Sequence, residues 1–175
     1  MKELLLLRHA KSSWKDPSLS DFDRPLNKRG RRDAPRVGAL LAARGAIPDW
    51  IVASAARRTV ETAEAVARSC RYTGSVRATE SLYAAPVRAY YEVAWEVPDD
   101  VDRLLLVGHS PGLPAFLAEL TGETVDCPTA ALACVTLDVP SWSRLDPAAP
   151  ADLRWYWSPK LDFDEGDADD ALHHR

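Results

Sequence analysis

Residues 1–11 have the sequence MKELLLLRHAK, and this stretch predicts the centre of the fold. Four consecutive leucines, Leu4 to Leu7, are typical of a strand buried on both faces of a parallel sheet. Arg8 and His9 follow at the carboxyl end of that strand, where open α/β sheets bind their ligands. A guanidinium beside an imidazole at that place indicates an anion site. Taken alone, the pair is more typical of a surface arginine and a hydrogen-bonded histidine at a strand end, so an anion site depends on support from the rest of the chain.

After this strand, short apolar runs alternate along the sequence with segments whose apolar residues recur at helical spacing. The pattern predicts helices near 28–43, 56–70, 86–97 and 112–120, with Asn27 and Ser54 capping the first two. It predicts further strands near 50–53, 76–78, 103–107, 130–137 and 153–157. This order predicts an α/β fold, a three-layer α/β/α sandwich with a mostly parallel central sheet, whose last two strands can close it antiparallel. We expect one domain over residues 1–160 and an acidic tail over residues 161–175 that is flexible or loosely docked.

Composition excludes several classes of protein. The chain has 175 residues and a net charge of −4, which disfavours generic binding to nucleic acid. No stretch approaches the roughly 20 apolar residues of a membrane span. The three cysteines contain no CxxC pair, so we expect reduced thiols and a cytoplasmic location. Nothing indicates an obligate interface, and we expect a monomer.

Three strand ends carry the residues of a candidate site. Arg8-His9 follows the first strand, Ser54 precedes Arg57-Arg58 at the second, and Gly108-His109 follows the run Leu104–Val107. If these strands are parallel neighbours, two imidazoles and several guanidiniums converge at one edge of the sheet, in a pocket suited to a phosphate-like anion. A neutral imidazole has an unperturbed pKa of about 6.5 and is a competent nucleophile toward phosphorus. Two histidines without an acidic partner are a poor metal set, so no metal is expected.

These motifs resemble the histidine phosphatase superfamily. Arg8-His9-Ala10 is similar to its Arg-His-Gly signature, residues 54–63 (SAARRTVETA) to its second motif, and Gly108-His109-Ser110-Pro111 to its third. The segment DRPLN at 23–27, with Gly30, is similar to the one that opens the family's first helix. The resemblance spans nearly the whole folded chain in the family's order. It implies a phosphoglycerate mutase-like fold and no cofactor.

The compact length and the carboxyl-terminal strands resemble the SixA-type branch of this superfamily. That resemblance implies a phosphohistidine phosphatase, often acting on a His-containing phosphotransfer protein. It also implies that His9 is the nucleophile, that Arg8, Arg58 and His109 bind the phosphoryl group, and that Arg24 is a further ligand. Two departures are Ala10 in place of glycine and Ala55 in place of proline; neither removes a chemical group from the pocket.

The identity of a general acid is open at this level. Glu80 is the best candidate by position, a capping or surface role is equally consistent, and Asp16 and Asp21 are lesser alternatives. The imidazole that leaves phosphohistidine needs an acid less than an alkoxide does.

Two other functions stay open: a small-molecule phosphomonoesterase of the same superfamily, and a phosphoanion-binding module with a decayed active site. Lys11 and Trp14, in the loop after the first strand, are candidates for contact with substrate, but for Trp14 we expect packing of that loop against the core instead. The basic run at 28–32 is either a solvated helix face or a surface that steers an acidic partner.

Overall fold

The computed structural model describes residues 1–161, in which six strands alternate with four helices. The strands are β1 (Lys2–Arg8), β2 (Trp50–Ser54), β3 (Val76–Thr79), β4 (Arg103–Gly108), β5 (Leu132–Leu137) and β6 (Ala151–Trp157). The helices are α1 (Lys28–Ala43), α2 (Arg57–Cys70), α3 (Val87–Trp95) and α4 (Gly112–Thr121). The tail predicted over 161–175 lies, apart from Leu161, outside the described residues.

All six strands form one sheet, in the order β3-β2-β4-β1-β5-β6. β1 pairs in parallel with β4, β4 with β2, and β2 with β3. β5 is antiparallel to β1, and β6 is antiparallel to β5. The predicted mostly parallel sheet, closed by two antiparallel pairings, is confirmed.

The leucine run of β1 explains the three layers. Leu4 and Leu6 point to one face of the sheet, where α3 and α4 cover them, and Leu5 and Leu7 point to the other face, under α1 and α2. All four side chains are fully buried. Burying a leucine contributes about 1.5–3 kcal/mol, so the two cores both depend on this strand. The predicted α/β/α sandwich, with its phosphoglycerate mutase-like arrangement, is confirmed.

The amino terminus of α1 is tied to the loop that follows β1. Asn27 caps the helix as predicted, because its Oδ1 accepts a hydrogen bond of 2.9 Å from the Gly30 amide. The Asn27 amide in turn donates to the Lys11 carbonyl. A Cβ atom at Gly30 would overlap that same carbonyl oxygen, so only glycine lets the helix approach this closely.

The prediction for the start of α2 is wrong in one detail. Ala56, and not Ser54, occupies the N-cap position, and it makes no side-chain capping hydrogen bond. The Ser54 hydroxyl instead faces a histidine of the neighbouring strand.

Among the described residues there is neither a helix able to span a membrane nor a disulfide. None of the helices in residues 1–161 combines the length and the apolar character needed to cross a bilayer. Cys70, Cys127 and Cys134 are all buried free thiols.

Candidate active site

A cavity of about 360 Å³ opens at the edge of the sheet where β1, β2 and β4 end. Its position follows from the parallel pairing of these strands, which brings their carboxyl ends to one edge. The lining residues are Arg8, His9, Lys11, Ser12, Trp14, Asp21, Arg24, Arg58, Tyr83, Ala84, His109, Ser110 and Thr129. Five of the six predicted site residues are therefore brought together; the exception is Glu80.

His9 is held in one tautomer by the backbone. Its Nδ1 lies 2.7 Å from the Ala10 carbonyl oxygen, and because a carbonyl only accepts, Nδ1 carries the proton. The lone pair is then on Nε2, which is the nitrogen available for attack. Burial, together with the positive charges nearby, lowers the pKa of His9 to about 3. His9 is therefore neutral and nucleophilic across the physiological range.

The second histidine, His109, faces the first across the cavity, with 5.2 Å between ring centroids. Its Nε2 lies 2.8 Å from the Ser54 hydroxyl and its Nδ1 3.4 Å from Nη2 of Arg58. Burial lowers its pKa to about 4, and Arg58 contributes in the same direction. The pocket thus holds two neutral imidazoles.

Three arginines supply the positive charge of the pocket. Arg8 stands at the end of β1 and donates to the Cys127 carbonyl at 2.9 Å. Arg58, in the first turn of α2, is nearly buried, and Arg24 reaches the pocket from the loop before α1, where it donates to the Ser12 hydroxyl. Within residues 1–161, the Nε atoms of all three arginines are buried without a hydrogen-bond partner. Such donors favour an anion, since an unsatisfied buried N–H is costly.

Asp21 and Tyr83 form a polar pair at the mouth of the cavity. The Tyr83 hydroxyl donates to Asp21 Oδ2 at 2.7 Å, and Arg58 Nη2 lies 3.1 Å from the same oxygen. The hydrogen bond from Tyr83, aided by Arg58, lowers the pKa of Asp21. Asp21 is therefore an ionised carboxylate that holds Arg58 in place. Tyr83 was not predicted, because no sequence pattern connects positions 62 residues apart.

Two carboxylates weighed as acids lie away from the cavity. Glu80 begins a 3-10 turn (Glu80–Leu82), is exposed, and does not line the pocket. Asp16 is exposed in the loop before α1, and its hydrogen bond from the Ser18 hydroxyl lowers its pKa. Neither side chain is placed to protonate a group held between the two histidines.

The departures at Ala10 and Ala55 have simple explanations. Ala10 is not among the residues with positive φ, so the backbone after His9 needs no glycine. Its amide donates to the Thr62 hydroxyl at 3.0 Å. The Ala55 amide donates to the Thr79 carbonyl at 2.9 Å, a hydrogen bond that proline would remove.

Trp14 corrects another expectation. Its side chain is 73% exposed and does not pack against the core. The Arg24 guanidinium lies 3.4 Å from the centroid of its ring instead. Trp14 therefore forms part of the cavity rim and positions a pocket arginine by a cation–π contact.

Metal ligands are not clustered in the described part of the chain. Within residues 1–161, no group of three or more His, Cys, Asp or Glu side chains is placed to hold a metal ion.

Comparisons with known proteins agree with this geometry. A family model described as the histidine phosphatase superfamily (branch 1) matches residues 4–83. An uncharacterised chloroplastic protein of Arabidopsis thaliana is 30% identical over 159 residues, which are 82% of this chain and 70% of that protein. The SixA structure from Agrobacterium tumefaciens has a TM-score of 0.77 at 28% identity, covering 90% of this chain and 98% of that one. The SixA structure from Nakamurella multipartitia has a TM-score of 0.79 at 28% identity, covering 90% of this chain and 96% of that one.

Proposed function

The chain belongs to the histidine phosphatase superfamily, in its SixA-type branch, and we propose that it is a metal-independent phosphatase that removes the phosphoryl group from phosphohistidine in proteins. The two SixA proteins are assigned by name as phosphohistidine phosphatases, an assignment that supports this substrate. The further support comes from the chemistry of the pocket.

His9 is the proposed nucleophile. Its Nε2 lone pair attacks phosphorus while the P–N bond to the substrate imidazole breaks, and a phosphoryl group is left on His9. The leaving imidazole takes up one proton from solvent. Water then attacks phospho-His9, releasing inorganic phosphate and restoring the neutral ring.

The role proposed for Arg8, Arg58, His109 and Arg24 is to bind the phosphoryl oxygens. Guanidinium groups match these oxygens bidentately and stabilise charge on them in the transition state. All four residues line the cavity, so they are placed around a phosphoryl group held there.

One observation carries the choice of substrate: among residues 1–161, the cavity contains no protonated carboxylic acid. Its single carboxylate, Asp21, is held ionised by Tyr83 and Arg58, and Glu80 does not reach it. An alkoxide leaving group needs a proton from the enzyme, whereas an imidazole is a far better leaving group. The pocket therefore favours a phosphoramidate bond over a phosphate ester.

The mechanism is tested with His9→Ala. Quenching the wild-type enzyme in base during turnover of a 32P-labelled phosphohistidine protein should trap an acid-labile, base-stable label. The variant should show no label and no turnover above background, with or without a chelator. Full activity of His9→Ala would refute the mechanism. Wild-type protein that binds phosphate but hydrolyses neither a phosphohistidine protein nor p-nitrophenyl phosphate would instead be a phosphoanion-binding module.

Specificity is tested by assaying a phosphohistidine protein beside a panel of phosphate esters. We expect kcat/KM to favour the phosphohistidine protein, and we expect Glu80→Gln and Asp21→Asn not to slow ester hydrolysis selectively. A small-molecule phosphomonoesterase would give the opposite result. Ester hydrolysis would then exceed phosphohistidine hydrolysis, and one of the two variants would slow the ester reaction alone.

A further inference from the structure

A second, larger cavity of about 720 Å³ lies beside the active site, against the start of α1. We call it the basic groove. Its lining residues are Ser13, Lys15, Pro25, Leu26, Asn27, Lys28, Arg29, Arg31 and Arg32. Five of these nine described residues are cationic and none is acidic. A groove of this composition attracts a polyanion.

The basic groove continues into the rim of the catalytic cavity. Ser12 lines the catalytic cavity and Ser13, its neighbour, lines the groove. On the other side, Arg29 of the groove donates to the hydroxyl of Thr129, a rim residue, at 3.3 Å. A ligand in the groove therefore lies next to the path of a protein substrate.

The arginines on this face of α1 are held by a buried carboxylate. Asp33 is 1% exposed and lies 3.8, 3.2 and 3.0 Å from the guanidiniums of Arg29, Arg32 and Arg36, respectively. One negative charge thus orders three positive ones along a single helix face. The ion pairs with Asp33 therefore hold the three guanidiniums at defined positions on the surface of α1.

The carboxyl-terminal 14 residues of the sequence are strongly acidic. Residues 162–175 contain six of the 26 Asp and Glu residues and one of the 22 Lys and Arg residues, a net charge of −5. Residues 1–161 therefore have 21 basic and 20 acidic residues, a net charge of +1. The overall charge of −4 is therefore the sum of a nearly neutral part, residues 1–161, and a strongly negative part, residues 162–175.

The last strand, β6, ends beside the same helix. Trp157, the last residue of β6, pairs with Leu132 next to the catalytic edge, and the Arg36 guanidinium lies 5.6 Å from its ring centroid. From Arg36 to Arg29 is about 10 Å along α1, at 1.5 Å per residue. The 14 residues beyond Leu161 can span up to about 46 Å when extended, so they reach the groove easily.

We propose that residues 162–175 dock into the basic groove as an intramolecular polyanion. Tethering gives the segment an effective concentration of about 1 mM, so weak charge–charge contacts suffice. Where the proposed function holds, the docked segment competes with acidic protein substrates at the rim and leaves small substrates unaffected. Docking itself does not depend on which phosphate the site hydrolyses.

The test places a nitroxide spin label in the tail of the full chain, through Ala168→Cys. The three native cysteines are buried, so the new thiol is the reactive one. Paramagnetic broadening should be strongest at the backbone amides of residues 28–32, and 0.5 M salt should reduce it, because the Debye length falls to a few ångströms. The matched control carries the same label with the six tail carboxylates changed to amides, and it should lose most of the selective broadening.

Equal broadening in the acidic and neutral tails would overturn the proposal. So would broadening that appears only between a labelled chain and a second, isotope-enriched unlabelled chain, since the occupant would then be another copy. The measurement needs no turnover, so its failure is distinguishable from failure of the proposed function. Hydrolysis of p-nitrophenyl phosphate by both labelled proteins reports that the active site is intact.

Discussion

At the scale of single residues, the Arg58 guanidinium decides which nitrogen of His109 carries its proton, and the Ser54 hydroxyl can pair with either tautomer. The Arg58 guanidinium can only donate, so its contact with Nδ1 places the His109 proton on Nε2, which donates to Ser54. A phosphoryl oxygen in the pocket would instead need a proton on Nδ1. The Ser54 hydroxyl accommodates this tautomer too, because it can donate to Nε2 while accepting from the Ala56 amide at 3.3 Å.

We therefore predict that Ser54→Ala lowers kcat/KM about 10- to 100-fold, by analogy with the loss of groups that orient a histidine. The 15N shifts of the His109 ring should also lose the tautomer change that phosphate produces in the wild-type protein. Ser81→Ala removes an exposed hydroxyl outside the cavity and is the matched control. An unchanged tautomer response in Ser54→Ala would show that the hydroxyl serves packing alone.

Three of the residues found from the sequence share one property: each is at or next to a strand end. Arg8, His9 and His109 follow apolar runs directly, and the parallel pairing of those strands is enough to bring them together. Ser54 satisfies the same rule, but a serine before a helix is usually a cap, so the sequence predicts a capping role for it. The ion pair between Asp21 and Arg58 is not predictable from the sequence, because it depends on how a long loop folds back.

At the scale of elements, β4 and α3 meet at Gly108. A Cβ atom there would overlap the Tyr90 hydroxyl, which also accepts a long hydrogen bond of 3.4 Å from the His109 amide. Tyr90 is fully buried and stacks on Phe116 of α4, so it cannot move away freely. Gly108 therefore lets α3 support the backbone that carries His109.

We predict that Gly108→Ala destabilises the fold by about 1–3 kcal/mol, the usual cost of overpacking a core. Part of this loss should be recovered in Gly108→Ala/Tyr90→Phe, which lacks the overlapping hydroxyl. Urea unfolding of the two single variants and the double variant gives the coupling free energy. Strictly additive losses would mean that Tyr90 is not the group that excludes a side chain at Gly108.

Element positions were more predictable than the loops between them. Apolar periodicity and the Asn27 cap predict α1 at the bounds observed, and the other helices differ from prediction by one or two residues at their ends. The loop between β1 and α1 carries no such periodicity. It is closed by the Ser12–Leu26 bridge and by hydrogen bonds of its own, and these place Trp14 on Arg24 rather than on the core. Such contacts depend on tertiary packing, which a local pattern does not encode.

At the scale of the whole molecule, the pocket makes the folded state sensitive to acid. Both site histidines are buried, and their pKa values are lowered to about 3 for His9 and about 4 for His109. The unfolded chain, with histidine pKa values near 6.5, therefore binds more protons than the folded protein at pH values between those limits. The contribution of the two histidines to the free energy of unfolding is therefore complete above about pH 6.5. It is lost as the pH falls toward their pKa values in the folded protein.

Each histidine should lower the free energy of unfolding by about 1.4 kcal/mol for every unit by which the pH falls, once that histidine is protonated in the unfolded chain. We therefore predict that the free energy of unfolding of the wild-type protein falls by about 2–3 kcal/mol between pH 5.5 and pH 4.5 from this cause. His109→Gln should remove close to half of that decrease, because a neutral amide titrates in neither state. Urea titrations at matched pH values measure the difference. Parallel pH dependences for the two proteins would show that His109 takes up its proton as readily in the folded pocket as in the unfolded chain, which its burial against Arg58 argues against.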